Sequence, residues 1–214
     1  MEVTNINKAV VVSLNQGLLP VMEHFYTLQG EGVHQGKAAY FIRLAGCDVG
    51  CVWCDVKESW DAEKHPLYSI KQLVDTVKAT PAKIVVITGG EPLLHDLSFL
   101  TESLHKAGLR IHIETSGSSP LSGELDWITL SPKKFKAPLP EVAVAAHELK
   151  VVVFNKSDFA WAEQWAAQVA PDCRLFLQPE WSKADQMTPL IVDYVKANPQ
   201  WQLSLQVHKY INVP

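Results

Sequence analysis

Three thiols fall within one short stretch, Cys47-Asp48-Val49-Gly50-Cys51-Val52-Trp53-Cys54. Soft thiolates suit either zinc or an iron–sulfur cluster. Structural zinc needs a fourth ligand, and the remaining cysteine, Cys173, lies far off in sequence. His34 or His65 could complete a zinc site, so spacing alone leaves both metals open. A cluster held by three cysteines keeps one iron open to a substrate or cofactor, whereas ordinary electron-transfer clusters take four. A second element is Thr88-Gly89-Gly90-Glu91-Pro92, which follows the β-branched run Ile84 to Thr88. Two glycines let backbone approach a ligand without Cβ interference, and the glutamate adds a carboxylate.

These loops need a scaffold, and the pattern around them is that of βα units. Strands are expected at Ala39 to Ala45, Lys83 to Thr88, Leu109 to Glu114, Asp126 to Leu130, Leu149 to Phe154, Arg174 to Leu177 and Gln202 to Val207. Between them Ser69 caps a helix carrying Ile70, Leu73, Val74 and Val77, and a second helix with Leu97, Leu100 and Leu104 stops at Gly108. A third carries Phe159, Trp165, Ala166 and Val169. A fourth carries Ile191, Val192 and Val195, with Pro189 in its first turn. The Lys- and Pro-rich stretch from Pro132 to Pro140 reads as an irregular loop.

About six parallel strands with four helices fall short of an eightfold barrel. The expected fold is therefore α/β, an incomplete βα barrel in one domain over 1–214, with an N-terminal extension at 1–38 and the partial barrel at 39–214. Cysteines, the Gly-Gly turn, Glu114-Thr115-Ser116-Gly117, Ser131-Pro132-Lys133, Gln178-Pro179-Glu180 and His208-Lys209 all follow strands. That shared carboxyl edge is where barrels and open α/β sheets build sites.

Composition bounds the function. A formal net charge of −4 gives no electrostatic reason to expect nucleic acid or an anionic membrane as partner. No stretch is long enough to span a bilayer, and no basic region precedes an apolar run at the N-terminus, so the expected location is cytoplasmic. Four cysteines are too few for a disulfide scaffold, and their clustering points to metal in a reducing compartment.

The Cys-x3-Cys-x2-Cys spacing with Trp53 before the last cysteine, followed by Gly89-Gly90-Glu91-Pro92, resembles the radical S-adenosylmethionine (SAM) superfamily. Phe25 to Gly32, Ser131-Pro132-Lys133, Leu177-Gln178-Pro179 and the tail from His208 to Pro214 further resemble the 7-carboxy-7-deazaguanine synthase family. The resemblance runs from about Phe25 onward. It implies a [4Fe–4S] cluster on Cys47, Cys51 and Cys54 whose open iron chelates SAM. It also implies ring contraction of 6-carboxy-5,6,7,8-tetrahydropterin to 7-carboxy-7-deazaguanine, with loss of ammonia, on the way to 7-deazapurines such as queuosine. A flavodoxin-like or ferredoxin reductant, a homodimer and assisting Mg2+ are implied with it.

Residue by residue, the resemblance makes the extension at 1–38 substrate-binding. It places Leu28, Gln29, Gly30 and Glu31 at the pterin, joined by Thr88, His208 and Pro214. Gln29 and Glu31 offer donors and acceptors to an amide and amino edge. Arg43, inside the apolar strand Tyr40 to Leu44, needs an anionic partner. A substrate carboxylate held in bidentate contact is the implied one, and a structural Glu is the alternative. Trp53, Asp55, Gly90 and Glu91 are implied at SAM, together with Ser131, Pro132 and Lys133 and with Gln178, Pro179, Glu180 and Trp181. The family's hydroxyl magnesium ligand is replaced by Val56, so the Mg2+ ligand is unknown: either Asp55, Glu58 or Ser59 substitutes, or substrate and water hold the ion. In the tail, Val207 is expected to close a strand at the site edge, and the terminal carboxylate of Pro214 to accept substrate N–H groups. Two rivals stand beside this reading, an activating enzyme for a glycyl-radical protein and a zinc-stabilised, non-catalytic binding module.

Overall fold

The computed structural model describes residues 17–214; of the expected N-terminal extension, residues 1–16 lie outside the described part. Nine strands form one sheet: β1 (Leu18–Leu28), β2 (Ala38–Leu44), β3 (Leu67–Ser69), β4 (Ile84–Gly89), β5 (Arg110–Thr115), β6 (Trp127–Leu130), β7 (Glu148–Val153), β8 (Arg174–Pro179) and β9 (Trp201–Leu203). Their order is β3-β1-β2-β4-β5-β6-β7-β8-β9, so the sheet has two edges and does not close. Every neighbouring pair from β2 to β9 is parallel, while β1 runs antiparallel to both β2 and β3. This is the expected α/β partial barrel.

Alternation along each strand divides its residues between two environments. On β5 Ile111 and Ile113 join the apolar core, as do Leu149, Val151 and Val153 on β7. Their alternates His112, Glu114, Glu148 and Lys150 face the concave side. The apolar face is covered by α1 (Ile70–Lys78), α2 (Ser98–Lys106), α3 (Pro140–Ala145), α4 (Ser157–Ala166) and α5 (Ala184–Ala197), and α6 (Val207–Ile211) follows the last strand. Ser69 and Gln72 form a reciprocal capping box at the start of α1. Gly108 after α2 has φ +76°, the left-handed C-terminal stop expected of it. None of the described helices is long and apolar enough to cross a membrane.

Four expectations change. Residues 18–28 form a long strand, which Pro20 and the polar Glu23 and His24 obscure in the sequence; a register shift between Val21 and Glu23 marks the irregularity. A six-residue helix, α3, starts at Pro140, the last residue of the expected loop, and runs through a segment to which no element was assigned. Helix α5 begins at Ala184, so Pro189 lies inside it and not in its first turn. The strand expected to end at Val207 stops at Leu203: the Ser204 hydroxyl turns to Gln178 Oε1 at 2.8 Å, and Val207 opens α6.

Candidate active site

At the carboxyl ends of the parallel strands lies a cavity of about 280 Å³. The loop after β2 supplies its sulfur-lined end. Gly46, at φ +106°, starts the turn; its N–H donates to Ser59 O at 2.6 Å, and that of Cys47 to Trp60 O at 3.1 Å. Cys47, Cys51 and Cys54 all line the cavity and are all unpaired thiols. Burial pushes the Cys51 thiol up to about 11 and raises that of Cys47. The Val56 N–H donates to Cys54 Sγ at 3.4 Å. Cys173 sits in the apolar core beneath α5, its thiol pushed to about 12 by burial, and takes no part in the lining.

Among the described residues no three His, Cys, Asp or Glu side chains converge on a single-ion position. Neither His34 nor His65, the residues that could complete a zinc site, lines the cavity with the three cysteines. Three thiols spread along one cavity wall, with no fourth, suit a cluster with one open iron.

The glycine pair has a more specific task than approach to a ligand. A Cβ on Gly89 would lie 2.1 Å from Leu44 O, and one on Gly90 2.3 Å from Gly46 O and 2.7 Å from Cys47 Cβ. The pair lets the turn after β4 seat the cysteine loop, with Gly90 N–H on Leu44 O and Glu91 N–H on Gly46 O. Glu91, expected at SAM, is fully buried off the lining. Its carboxylate accepts from Leu93 N–H at 3.1 Å, the Thr115 hydroxyl at 2.5 Å, and both the N–H and hydroxyl of Ser116. It fastens the turn after β4 to the end of β5. Pro132 is likewise off the lining, whereas Ser131 and Lys133 on either side of it are on it.

Leu28, Gln29, Gly30, Glu31, Arg43, Thr88, His208 and Pro214 all line the cavity. Arg43 lies opposite Glu23 in the β1/β2 register and donates from Nε to Glu23 Oε1 at 2.7 Å. The structural glutamate left open as its partner is therefore present, yet Arg43 still borders the cavity. Two residues that the sequence reading did not assign to substrate complete this wall. Lys150 Nζ donates to Glu31 and, at 2.8 Å, to Glu114 Oε2. Gln29 Nε2 donates to Glu114 Oε1 at 2.9 Å, and Gln29 Oε1 accepts from the Glu31 N–H at 3.2 Å. Burial would raise the Glu114 carboxyl, but Lys150, Gln29 and Arg43 outweigh it and hold it below the usual range. Burial would depress Lys150, but Glu114, Glu31 and Glu148 raise it instead. A lysine inside the apolar run from Leu149 to Val153 is the same signal that singled out Arg43.

The remaining wall is formed by Trp53, Asp55, Gly90, Ser131, Lys133, Gln178, Pro179, Glu180 and Trp181. Lys133 Nζ donates to Ser131 Oγ at 2.6 Å and stands 5.5 Å over the Trp53 ring. Burial pulls its ammonium below the usual range, partly offset by Cys51. Glu180 accepts from the Ser182 N–H and hydroxyl. Lys209 on α6 reaches Asp55 Oδ2 at 3.2 Å and stands 4.9 Å over the Trp181 ring. Burial would raise the Asp55 carboxyl, but Lys209 holds it low. Val56 lines the cavity. Of its three possible substitutes only Asp55 does so, because the buried Ser59 hydroxyl donates to Val56 O and Glu58 lies off the lining.

A family model described as the radical SAM superfamily matches residues 41–135, which hold the cysteine loop and the glycine pair. The chain is 54% identical over 210 residues to a 7-carboxy-7-deazaguanine synthase of Flavobacterium psychrophilum, spanning 98% of this chain and 100% of that one. It is 48% identical to one from Synechocystis, over 91% and 93% of the two chains. Its structure is similar to the crystal structure of QueE from Escherichia coli, with TM-score 0.80 at 35% identity, covering 89% of this chain and 95% of the other.

Proposed function

The chain belongs to the 7-carboxy-7-deazaguanine synthase family of the radical SAM superfamily, and from that membership we propose which of its residues do the work. The enzyme is a radical SAM lyase that forms 7-carboxy-7-deazaguanine by ring contraction of 6-carboxy-5,6,7,8-tetrahydropterin with release of ammonia, in the route to queuosine-type 7-deazapurines. When bound, a [4Fe–4S] cluster and SAM supply one-electron chemistry that takes a hydrogen atom from the substrate. Cys47, Cys51 and Cys54 hold the cluster. Ser131, Lys133, Gln178 and the Glu180-Trp181 segment hold SAM, with Gly90 beside it on the cavity lining. Gln29, Glu31 and Thr88 bind the pterin ring, and Arg43 binds its carboxylate with the part of the guanidinium that Glu23 does not engage. Lys209, Trp181 and Tyr210, packed on one another beside Asp55, screen the cavity from water.

The single observation that carries this reading is that three thiols without a fourth share one cavity with the ring of Gln29, Glu31, Glu114 and Lys150. The reading includes a small acidic electron carrier of flavodoxin or ferredoxin type as reductant, a homodimer, and a cytoplasmic location suited to unpaired thiols. Magnesium enters as an ion held mainly by substrate and water.

The test is anaerobic incubation of reconstituted protein with SAM, a reductant and the carboxytetrahydropterin. Deazaguanine and ammonia should appear in equal amounts while SAM is regenerated. Stoichiometric loss of SAM without deazaguanine would favour an activating enzyme, and stoichiometric zinc would favour a binding module.

A further inference from the structure

We propose that Lys150 is a positioning residue that holds Glu31 and Glu114 as a matched pair of hydrogen-bond acceptors for the N–H edge of the substrate. The inference deepens the pterin-binding reading and rests on it.

The geometry is a closed ring. Gln29 Nε2 donates to one oxygen of Glu114, and Lys150 Nζ donates to the other and to Glu31. The Glu31 N–H returns to Gln29 Oε1. Its members come from three separated parts of the chain: the loop after β1, the end of β5 and the middle of β7. Lys150 has only 4% of its side chain exposed, so it meets substrate poorly itself and acts through the two carboxylates, which are more open at 12% and 21%.

The charge balance supports the role. Two carboxylates and one ammonium leave the ring a net negative charge. A 2-aminopyrimidinone ring presents an amino group and a ring N–H side by side, and such a donor edge is best met by carboxylate oxygens. Around the ring stand Arg43 on β2, His112 on β5, Lys133 after β6, Glu148 on β7 and His208 on α6. Burial raises the Glu148 carboxyl and lowers the His208 imidazole. Lys150 is the cation bonded to both carboxylates. Without it, two half-buried like charges would face one site, and one of them would take up a proton. The protonated carboxyl would then turn a donor towards the donor edge it was built to read.

Lys150→Met keeps the unbranched stem and removes the charged end. The Michaelis constant for the carboxytetrahydropterin should rise by about tenfold or more, the scale of one lost charge-assisted hydrogen bond. It should recover as pH is raised, whereas that of the parent stays level. Iron content should be unchanged, and the pH dependence should appear in the Michaelis constant more than in saturated turnover, because the lysine is buried behind the two carboxylates. The double variant Lys150→Met with Glu114→Gln restores the original net charge and should restore a level pH profile. It also covers the case in which the single variant fails to fold. A parent enzyme that makes no deazaguanine sinks the function itself. An active parent whose Lys150→Met variant binds substrate equally well, or more weakly by the same factor at every pH, overturns only the role of Lys150, as does a double variant that still depends on pH.

Discussion

Gly30 and His208 occupy one another's space: a Cβ on Gly30 would lie 2.2 Å from His208 Nδ1. The Gly30 carbonyl also accepts the Val207 N–H at 3.0 Å, so the loop after β1 serves as the seat for α6. Gly30→Ala should displace the imidazole and lower stability by about 1–3 kcal/mol, the usual cost of overpacking. Because α6 also carries Lys209 against Asp55, the pterin Michaelis constant should rise in the same variant. Chemical denaturation and steady-state kinetics measure the two effects. Wild-type values for both would show that α6 moves aside freely.

The cysteine assignment predicts about four iron atoms per chain in anaerobically purified protein, the content of one [4Fe–4S] cluster. Cys47→Ala, Cys51→Ala and Cys54→Ala should each lose SAM cleavage. Cys173→Ala should keep both iron and cleavage, since its thiol lies in the apolar core. Iron and sulfide assays with visible absorption decide the matter.

Arg43→Lys exchanges a planar fork for a point charge. With Nε engaged by Glu23, the rest of the guanidinium is what a substrate carboxylate would meet. Substrate affinity should fall by about tenfold, the scale of one charge-assisted hydrogen bond. SAM cleavage in the absence of substrate should persist. Calorimetric titration with substrate is the direct measurement, and unchanged affinity would leave Arg43 a purely structural partner of Glu23.

Magnesium dependence should be weak. Val56 has no side-chain oxygen to offer a hard cation, and Asp55, the one of its three possible substitutes on the lining, is occupied by Lys209. Turnover in chelator should approach that in added magnesium. Strong stimulation that disappears in Asp55→Ala would mean that the ion displaces Lys209.

Acid should weaken the fold in a defined window. Burial, with Lys37 and Arg110 nearby, lowers His34 to about 4; burial, with His34 and Arg110, lowers His112 to about 4. In the unfolded chain both titrate near 6.5. Between these values the unfolded state binds more protons, so stability is complete above about pH 6.5 and falls as pH drops towards 4. Urea midpoints at about pH 7.5 and pH 5 should separate clearly in the parent, and less in His112→Gln.

The parallel strands and the cysteine loop were legible because β-branched runs and thiol spacing are local signals. The ring around Lys150 was not, because its members meet only across the concave face, although each lies at a strand end or within an apolar strand. Glu91 is the opposite case. A conspicuous carboxylate beside two glycines suggests a ligand, yet Thr115 and Ser116, on the next strand and the loop after it, occupy it. Strand β1 escaped notice because Pro20, Glu23 and His24 break its apolar pattern and its register shifts between Val21 and Glu23, and Val207 because an apolar residue near a strand can equally start a helix.

The contact between the loop after β1 and the segment after β9 has a kinetic consequence. The Gly32 N–H donates to Ser204 Oγ across 172 residues. Bonds of such sequence separation form late, since the entropy of closing the intervening loop must be met before they contribute. During early folding the cysteine loop, which lies far closer in sequence to β1 than to β9, should therefore remain open to the surroundings after its own strands have paired. Its thiols should then be open to oxygen until the loop after β1 reaches the segment after β9.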